Sequence, residues 1–222
     1  VVVGNYSNVV DIAAAHGFDE ADGFLVDAGV SSHQIDEAER GFSHSREGPL
    51  DMRMGPGTPS ALSWLETVSE KELARVLYEY GDISGSRRLA PAIKDAVEQG
   101  ELETTTDLAD LTERVLGTRV SGRKTSMPPA TLVFQAIRIA VNRELEHLER
   151  AVEAIPEVVR PGGRAVFISF HSLEDRIVKH GFRRLATDCV CPPDLPVCGC
   201  DAIARVEILT KSPVQADEEE VS

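Results

Sequence analysis

The chain has 222 residues, 42% of them hydrophobic, enough for one sizeable core or for a core domain carrying a smaller second one. A formal net charge of −14 excludes nucleic-acid binding by bulk electrostatics, because neutralising phosphates takes clustered Lys and Arg; any RNA contact has to be local. With no run of about 18 apolar residues and no charged-then-apolar leader at its start, the chain reads as soluble and cytoplasmic, without membrane contact.

In chain order, Asp22-Gly-Phe-Leu-Val-Asp27 is a short apolar run that ends in an acid and passes into the small-residue turn Ala28-Gly-Val-Ser-Ser32. A buried parallel strand delivers a carboxylate to a site in this way. Arg40 and Arg53 flank the loop Gly41 to Leu50, which is longer than a mere connection needs and reads as a lid over substrate or cofactor. From about Ser60 to Glu153 the periodicity is helical. Ser69-Glu-Lys-Glu72 is a capping-box start, after which Leu73, Val76 and Leu77 make one apolar stripe towards Gly81. Thr105 or Thr106 can cap a helix through Leu108, Leu111 and Val115 to Gly117. A further helix opens at Pro128-Pro129 and carries its apolar residues through Leu145 and Leu148 towards Pro156.

The turn Pro161-Gly-Gly163 then leads into a second strand, Arg164 to Phe170, followed by the polar cluster His171-Ser-Leu-Glu-Asp-Arg176. A short strand is expected at Arg205 to Leu209. Two strands that end in polar clusters, with helices between them, predict an open α/β sheet interrupted by an α-helical insertion. The expected division is 1–59 with 155–222 for the α/β part and 60–154 for the insertion.

Several residues carry candidate chemistry. Asp27, at a strand end, is placed to accept hydrogen bonds. Ser172 suits the N-cap of a helix, with Asp175 completing a capping box, and a helix N-terminus there would favour anionic groups. His171 stands ahead of that cap and is expected to touch substrate or to order the site. Gln135, Arg138 and Asn142 recur at i, i+3 and i+7 on an otherwise apolar helix, which suits a phosphate or base contact and equally an exposed face. Arg87-Arg88, Arg123-Lys124, Arg138 with Arg143, and the run Arg176, Lys179, Arg183, Arg184 are local basic spots, each also explained as a solvated helix face. All four cysteines fall in Cys189-Val-Cys191 and Cys198-Gly-Cys200. Zinc on four thiolates, a local redox pair and unligated thiols in a loop are all open. Because each pair is closer than the usual ligand gap, the expectation is unligated thiols and no metal.

Taken together, Asp27-Ala-Gly-Val-Ser-Ser-His-Gln34, Arg40-Gly-Phe-Ser43, Asp51-Met-Arg-Met54, Phe134-Gln-Ala-Ile-Arg-Ile139 with Val141-Asn142 and Glu144-Leu145, and Ile168-Ser-Phe-His-Ser-Leu-Glu-Asp-Arg-Ile-Val-Lys179 resemble the bacterial ribosomal RNA small-subunit methyltransferase H family (RsmH/MraW). Their order and spacing fit over nearly the whole chain. The resemblance implies an incomplete Rossmann-like α/β fold with an inserted α-helical domain for substrate recognition. It also implies methyl transfer from S-adenosyl-L-methionine to N4 of a cytidine in 16S rRNA within the small ribosomal subunit. By the same resemblance Tyr6, Asp27 and Gln34 hold the cofactor. Read from the residues themselves, Asp27 and His171 are the catalytic candidates, and Arg53, Gln135, Arg138, Asn142, Ser172, Asp175 and Arg176 are the candidates to face substrate. The cytosine amine is a weak nucleophile, so such a reaction leans on positioning and electrostatics, and a flipped base needs cover.

The family's opening strand, glycine-rich loop and second-strand acid would lie before Val1, and a basic stretch would follow the acidic end, so the chain as given is expected to be inactive by itself. Leu132-Val133 replaces the family's Arg-Thr, and Ala28 its usual Leu, which removes one positive charge from the expected RNA side. An amino-methyltransferase acting on DNA or protein, and a non-catalytic RNA-binding or ribosome-assembly module, are the alternatives. A homodimer is one of the oligomeric states left open.

Overall fold

The structure, a computed structural model, describes residues 1–18, 20–117, 127–189, 191, 199–200 and 202–216. Arg123, Lys124, Cys198 and the acidic end lie outside them. In chain order the elements are α1 (Val9–Ala15), β1 (Ala21–Asp27), α2 (Ser32–Asp36), α3 (Ala61–Thr67), α4 (Glu70–Gly81), α5 (Ser86–Glu98), α6 (Thr105–Leu116), α7 (Pro129–Asn142), α8 (Glu144–Glu153), α9 (Ile155–Val158), β2 (Val159–Ile168) and α10 (Ser172–Leu185). They fall into two compact units, one of Val1–Ala28 with Leu145–Ser222 and one of Gly29–Glu144. No helix among the described residues is long and apolar enough to cross a membrane.

In the sheet unit β1 and β2 pair in parallel, Phe24 beside Ala165 through to Asp27 beside Ile168. The register shifts at the start of the pair: Ala21 faces Val159 while Gly23 faces Arg164. Pro161-Gly-Gly163 therefore bulges within β2, where the sequence suggested a turn ahead of it. Gly162 adopts φ +82°, and a Cβ on Gly163 would stand 2.9 Å from Asp22 O. Side chains alternate across the pleat. Val26 and Ala28 pack with Leu148 of α8, joined by Phe24, Phe167, Ile177 and Val178. Phe167 meets Phe24 and Phe182 edge to face, with centroids 5.8 and 5.7 Å away. On the opposite face Leu25, Val166 and Ile168 are exposed. The strand expected at Arg205 to Leu209 does not form among the described residues.

The helical unit is closed by its caps and its core. The Ser69 hydroxyl accepts from Glu72 N at 3.2 Å, but the Glu72 carboxylate turns to Arg75, so the expected box has one half only. Thr104, one residue earlier than expected, caps α6 in a full box with Asp107. The apolar stripe Leu73, Val76 and Leu77 of α4 is buried with Leu89 and Ile93 of α5, Leu108 and Leu111 of α6, and Val133 and Ile137 of α7. No helix was singled out at α5, where Pro91 interrupts the pattern. The helix expected to run from Pro129 past Leu148 is two helices. Arg143 ends α7 in the left-handed region at φ 51°, and α8 starts anew at Glu144.

That break marks one edge of the division, and it lies about ten residues before the expected 154/155 boundary. Residues from Leu145 on belong with the sheet because Leu148 packs against Val26 and Ala28. The other edge lies before Gly29, not after Pro59, because Phe42, Leu50 and Met52 are buried in the helical core.

Candidate functional site

In the sheet unit the site residues gather at the carboxyl edge of the strands. Asp27 ends β1 beside Ile168, and the next amide, Ala28 N, donates to Ile168 O at 3.1 Å. The Asp27 side chain is exposed, and among the described residues it makes no hydrogen bond or ion pair. Three residues beyond Ile168, His171 is the N-cap of α10: its Nδ1 accepts from Glu174 N at 3.3 Å. Glu174 answers with Oε2, which accepts from Phe170 N at 2.8 Å and His171 N at 3.4 Å, while Oε1 lies 3.4 Å from His171 Nε2. The capping box expected of Ser172 and Asp175 is thus made one residue earlier, by His171 and the buried Glu174. Imidazole capping is uncommon, so the sequence drew attention to the hydroxyl. The signal that could have found it was a Glu three residues after His171.

This cap leaves Ser172 and Arg176 exposed on the first turns of α10. At 100° per residue Arg176, Lys179 and Arg183 lie on one stripe, opposite the buried Gly181. None of the three has an ion-pair partner among the described residues, whereas Arg184 pairs with Glu153 at 2.7 Å. Glu149, Val152, Arg176, Ile177, His180, Gly181 and Arg184 line an open groove of about 380 Å³ between α8 and α10. Tyr6, half-buried, sits in a single 3-10 turn, Tyr6–Asn8, whose cap is the Asn5 side chain.

In the helical unit Gln34 closes a capping box at α2: Ser31 N donates to its Oε1 at 2.9 Å, and Gln34 N donates to the Ser31 hydroxyl at 3.3 Å. Among the described residues its amide nitrogen has no acceptor and stays available as a donor. Arg53 grips Asp51 through Nε and Nη2, and its carbonyl accepts from Arg40 Nη2 at 2.7 Å. Burial pushes the Asp51 carboxyl up, but the hydrogen bonds from Arg53 outweigh it and hold the group below 3.8.

The three polar residues of α7 are used inside the unit. Gln135 Nε2 donates to Tyr80 O at 3.3 Å. Arg138 forks onto Glu144 at 2.9 and 3.1 Å, with both side chains largely buried. Asn142, 5% exposed, donates to Met52 O at 2.7 Å and to Arg138 O at 2.9 Å, and accepts from Met54 N at 2.8 Å. The spacing suits a phosphate or base contact; in the structure the residues clamp the 52–54 segment and neighbouring helices. Nothing in the spacing of Glu144 marks it as the partner of Arg138, because the pairing depends on the turn at Arg143.

The loop expected to be a lid is fastened as well. Thr105 Oγ1 donates to Arg46 O and accepts from Gly48 N, Leu50 N donates to Glu103 O, and His44 Nε2 stands 3.0 Å from Thr131 Oγ1. A Cβ on Gly48 would fall 1.9 Å from Ala38 O, so this close approach requires glycine.

A free acid at the carboxyl end of one parallel strand, beside a capped helix at the end of its neighbour, defines the ligand-binding edge of an open α/β protein. The model of the MraW methylase family matches residues 1–222. Similar proteins include the ribosomal RNA small subunit methyltransferases H of Geobacter sulfurreducens, 48% identical over 224 residues, and of Anaeromyxobacter sp. (strain Fw109-5), 47% identical over 218. That of Symbiobacterium thermophilum is 48% identical over 218 residues. They are matched over 100, 98 and 98% of this chain and 71, 70 and 68% of their own lengths. The chain belongs to the MraW methylase family, whose methyl donor is S-adenosylmethionine. It is a methyltransferase, and a purely non-catalytic module is not favoured. The chemistry of Asp27 fits that donor: an exposed carboxylate at a strand end can accept from the polar hydrogens of a nucleoside and face a sulfonium charge.

Proposed function

We propose that this chain serves the transfer of a methyl group to N4 of a cytidine in 16S rRNA, with the small ribosomal subunit as substrate and the cytoplasm as the place of work. The observation that carries the site assignment is the Asp27 carboxylate, exposed at the carboxyl edge and uncommitted among the described residues. Asp27 holds the adenosyl part of the donor, with Tyr6 as a further contact. S-Adenosylmethionine supplies an electrophilic methyl group. The protein aims the amine and excludes water, because the cytosine amine has its lone pair drawn into the ring. His171 acts as a positioning residue, since its cap with Glu174 fixes where α10 begins. The stripe Arg176, Lys179 and Arg183 supports a local phosphate contact, the kind that a strongly acidic chain requires. The names of its relatives, ribosomal RNA small subunit methyltransferases H, support the ribosomal substrate.

Small subunits lacking the modification, incubated with enzyme and labelled donor and then digested to nucleosides, should yield N4-methylcytidine. Label in any other nucleoside, or in the protein fraction, would overturn the assignment. Lys179→Glu should weaken subunit binding and lower the slope of log affinity against log salt by roughly one. An unchanged slope would remove α10 from the RNA contact.

A further inference from the structure

The cysteines take no part in the reading above. Beyond α10 the chain leaves at Ala186 and returns, because Arg205 N and Val206 N donate to Leu185 O at 2.7 and 3.4 Å. The ends of this excursion are therefore both held at the C-terminal end of α10. Within it the sulfur atoms of Cys189, Cys191 and Cys200 all lie within 4.8 Å of one another. Cys189 Sγ and Cys200 Sγ, from different Cys-x-Cys pairs, are 3.9 Å apart, and Gly199 N donates to Cys191 Sγ at 3.4 Å.

The separations decide which chemistry fits. A disulfide needs its sulfurs about 2.0 Å apart. Thiolates bound tetrahedrally to zinc at about 2.3 Å stand about 3.8 Å from one another, which is the spacing of Cys189 and Cys200. The short gap inside each pair argued against a metal only while each pair was considered alone. Folding supplies the spacing from one pair to the other. The amide of Gly199 donates to the Cys191 sulfur, a hydrogen bond of the kind that steadies a thiolate.

We propose that Cys189, Cys191 and Cys200 are ligands of a structural zinc ion that staples the excursion after α10. Cys198 is the remaining cysteine and lies outside the described residues. Each ligating thiol releases one proton to solvent on binding, and no electron changes hands. The metal is structural and takes no part in methyl transfer. The proposal therefore stands or falls independently of the RNA target.

The test uses the intact protein, purified with reductant and without chelator, whose metal is measured by plasma mass spectrometry. One zinc per chain is expected, with cysteines that resist alkylation until chelator is added. Exchange for Co²⁺ should give thiolate charge-transfer bands and the intense d–d bands of a tetrahedral site. Cys189→Ser combined with Cys200→Ser should lower zinc affinity by roughly 10-fold or more. The cobalt spectrum is read on the unsubstituted protein, so it holds whatever the double variant does to folding. Reduced protein that holds no zinc and gives no tetrahedral cobalt spectrum overturns the proposal. So does iron in the place of zinc, or disulfides among these cysteines in the reduced preparation.

Discussion

The helical unit and the sheet unit close their cores to different extents. In the first, Leu65, Leu73, Leu77, Leu89, Ile93 and Ile137 have no exposed surface, and Arg138 and Asn142 spend their polar groups on Glu144, Met52 and Met54. In the second, one face of the sheet is packed, while Leu25 and Val166 on the other are 66% and 52% exposed. Polar side chains follow the same division. Arg138 and Asn142 of the closed unit are committed to holding segments together, whereas Asp27, Arg176, Lys179 and Arg183 of the open unit are presented to solvent. Substitutions of polar residues should therefore register as stability in one unit and as ligand binding in the other.

The largest effect is expected at Asn142. Asn142→Ala strands the buried Met52 carbonyl and the part-buried Met54 amide, and should remove about 2–6 kcal/mol of stability at about 1–3 kcal/mol for each orphaned group. Urea unfolding measures it, and a loss under 1 kcal/mol would break the contrast by showing that the clamp is replaceable.

Asp27→Ala in the full-length protein should do the reverse. S-Adenosylmethionine affinity should fall by about 1.5–3 kcal/mol, roughly 10- to 150-fold, with unfolding unchanged within about 0.5 kcal/mol. Calorimetric titration reads the first quantity and denaturation the second. Unchanged affinity would reduce Asp27 to the end of a strand.

Gly181→Ala sharpens the comparison from the packed side of the sheet unit. An exposed helix interior would gain up to about 1 kcal/mol from this change. Here the new Cβ would stand 2.5 Å from Cγ1 of the buried Val152, so a loss of about 1–2 kcal/mol is expected. A higher melting temperature in the variant would show that α8 and α10 can separate without penalty.

The smallest effect concerns acid. Asp51 and Asp107 both lie in the helical unit, and both have folded-state pKa values below 3.8. Burial raises Asp51 but Arg53 outweighs it, and the Thr104 hydroxyl lowers Asp107. A depressed carboxyl contributes its full stabilisation above 3.8 and loses it as pH falls through the lower folded value. Asp51→Asn should flatten the decline in melting temperature below that pH and lower the melting temperature at neutral pH slightly. Parallel acid declines in the variant and the parent would assign the sensitivity elsewhere.

Much of the architecture was legible because periodicity and caps are local. The acid-ended strand, the Ser69 start of α4, the Gly117 stop of α6 and the second strand all came from short patterns. What stayed hidden was fixed by contacts distant in sequence. Thr105 is an ordinary threonine until it bridges Arg46 and Gly48, 59 and 57 residues away. Asn142 has the spacing of a recognition face until Met52 folds beneath it. Arg143 shows no sign in composition that it will turn left-handed, so two helices read as one. At the site, Asp27 was legible from strand chemistry, whereas the His171 cap depended on Glu174 being buried. The converging thiols depended on the chain returning at Arg205.

The pairing of β1 with β2 has a consequence in time. The strands are hydrogen-bonded neighbours, yet about 130 residues separate them in the chain. At about 5–20 residues per second, a ribosome releases the first strand roughly 7–25 s before its partner exists. Meanwhile the continuous segment Gly29–Glu144 contains all that it needs to complete its own core. The backbone donors and acceptors of β1 wait without their ladder, open to chaperones or to pairing with another nascent chain. A chain halted before Val159 should therefore carry a folded helical unit behind a strand still available to any passing edge.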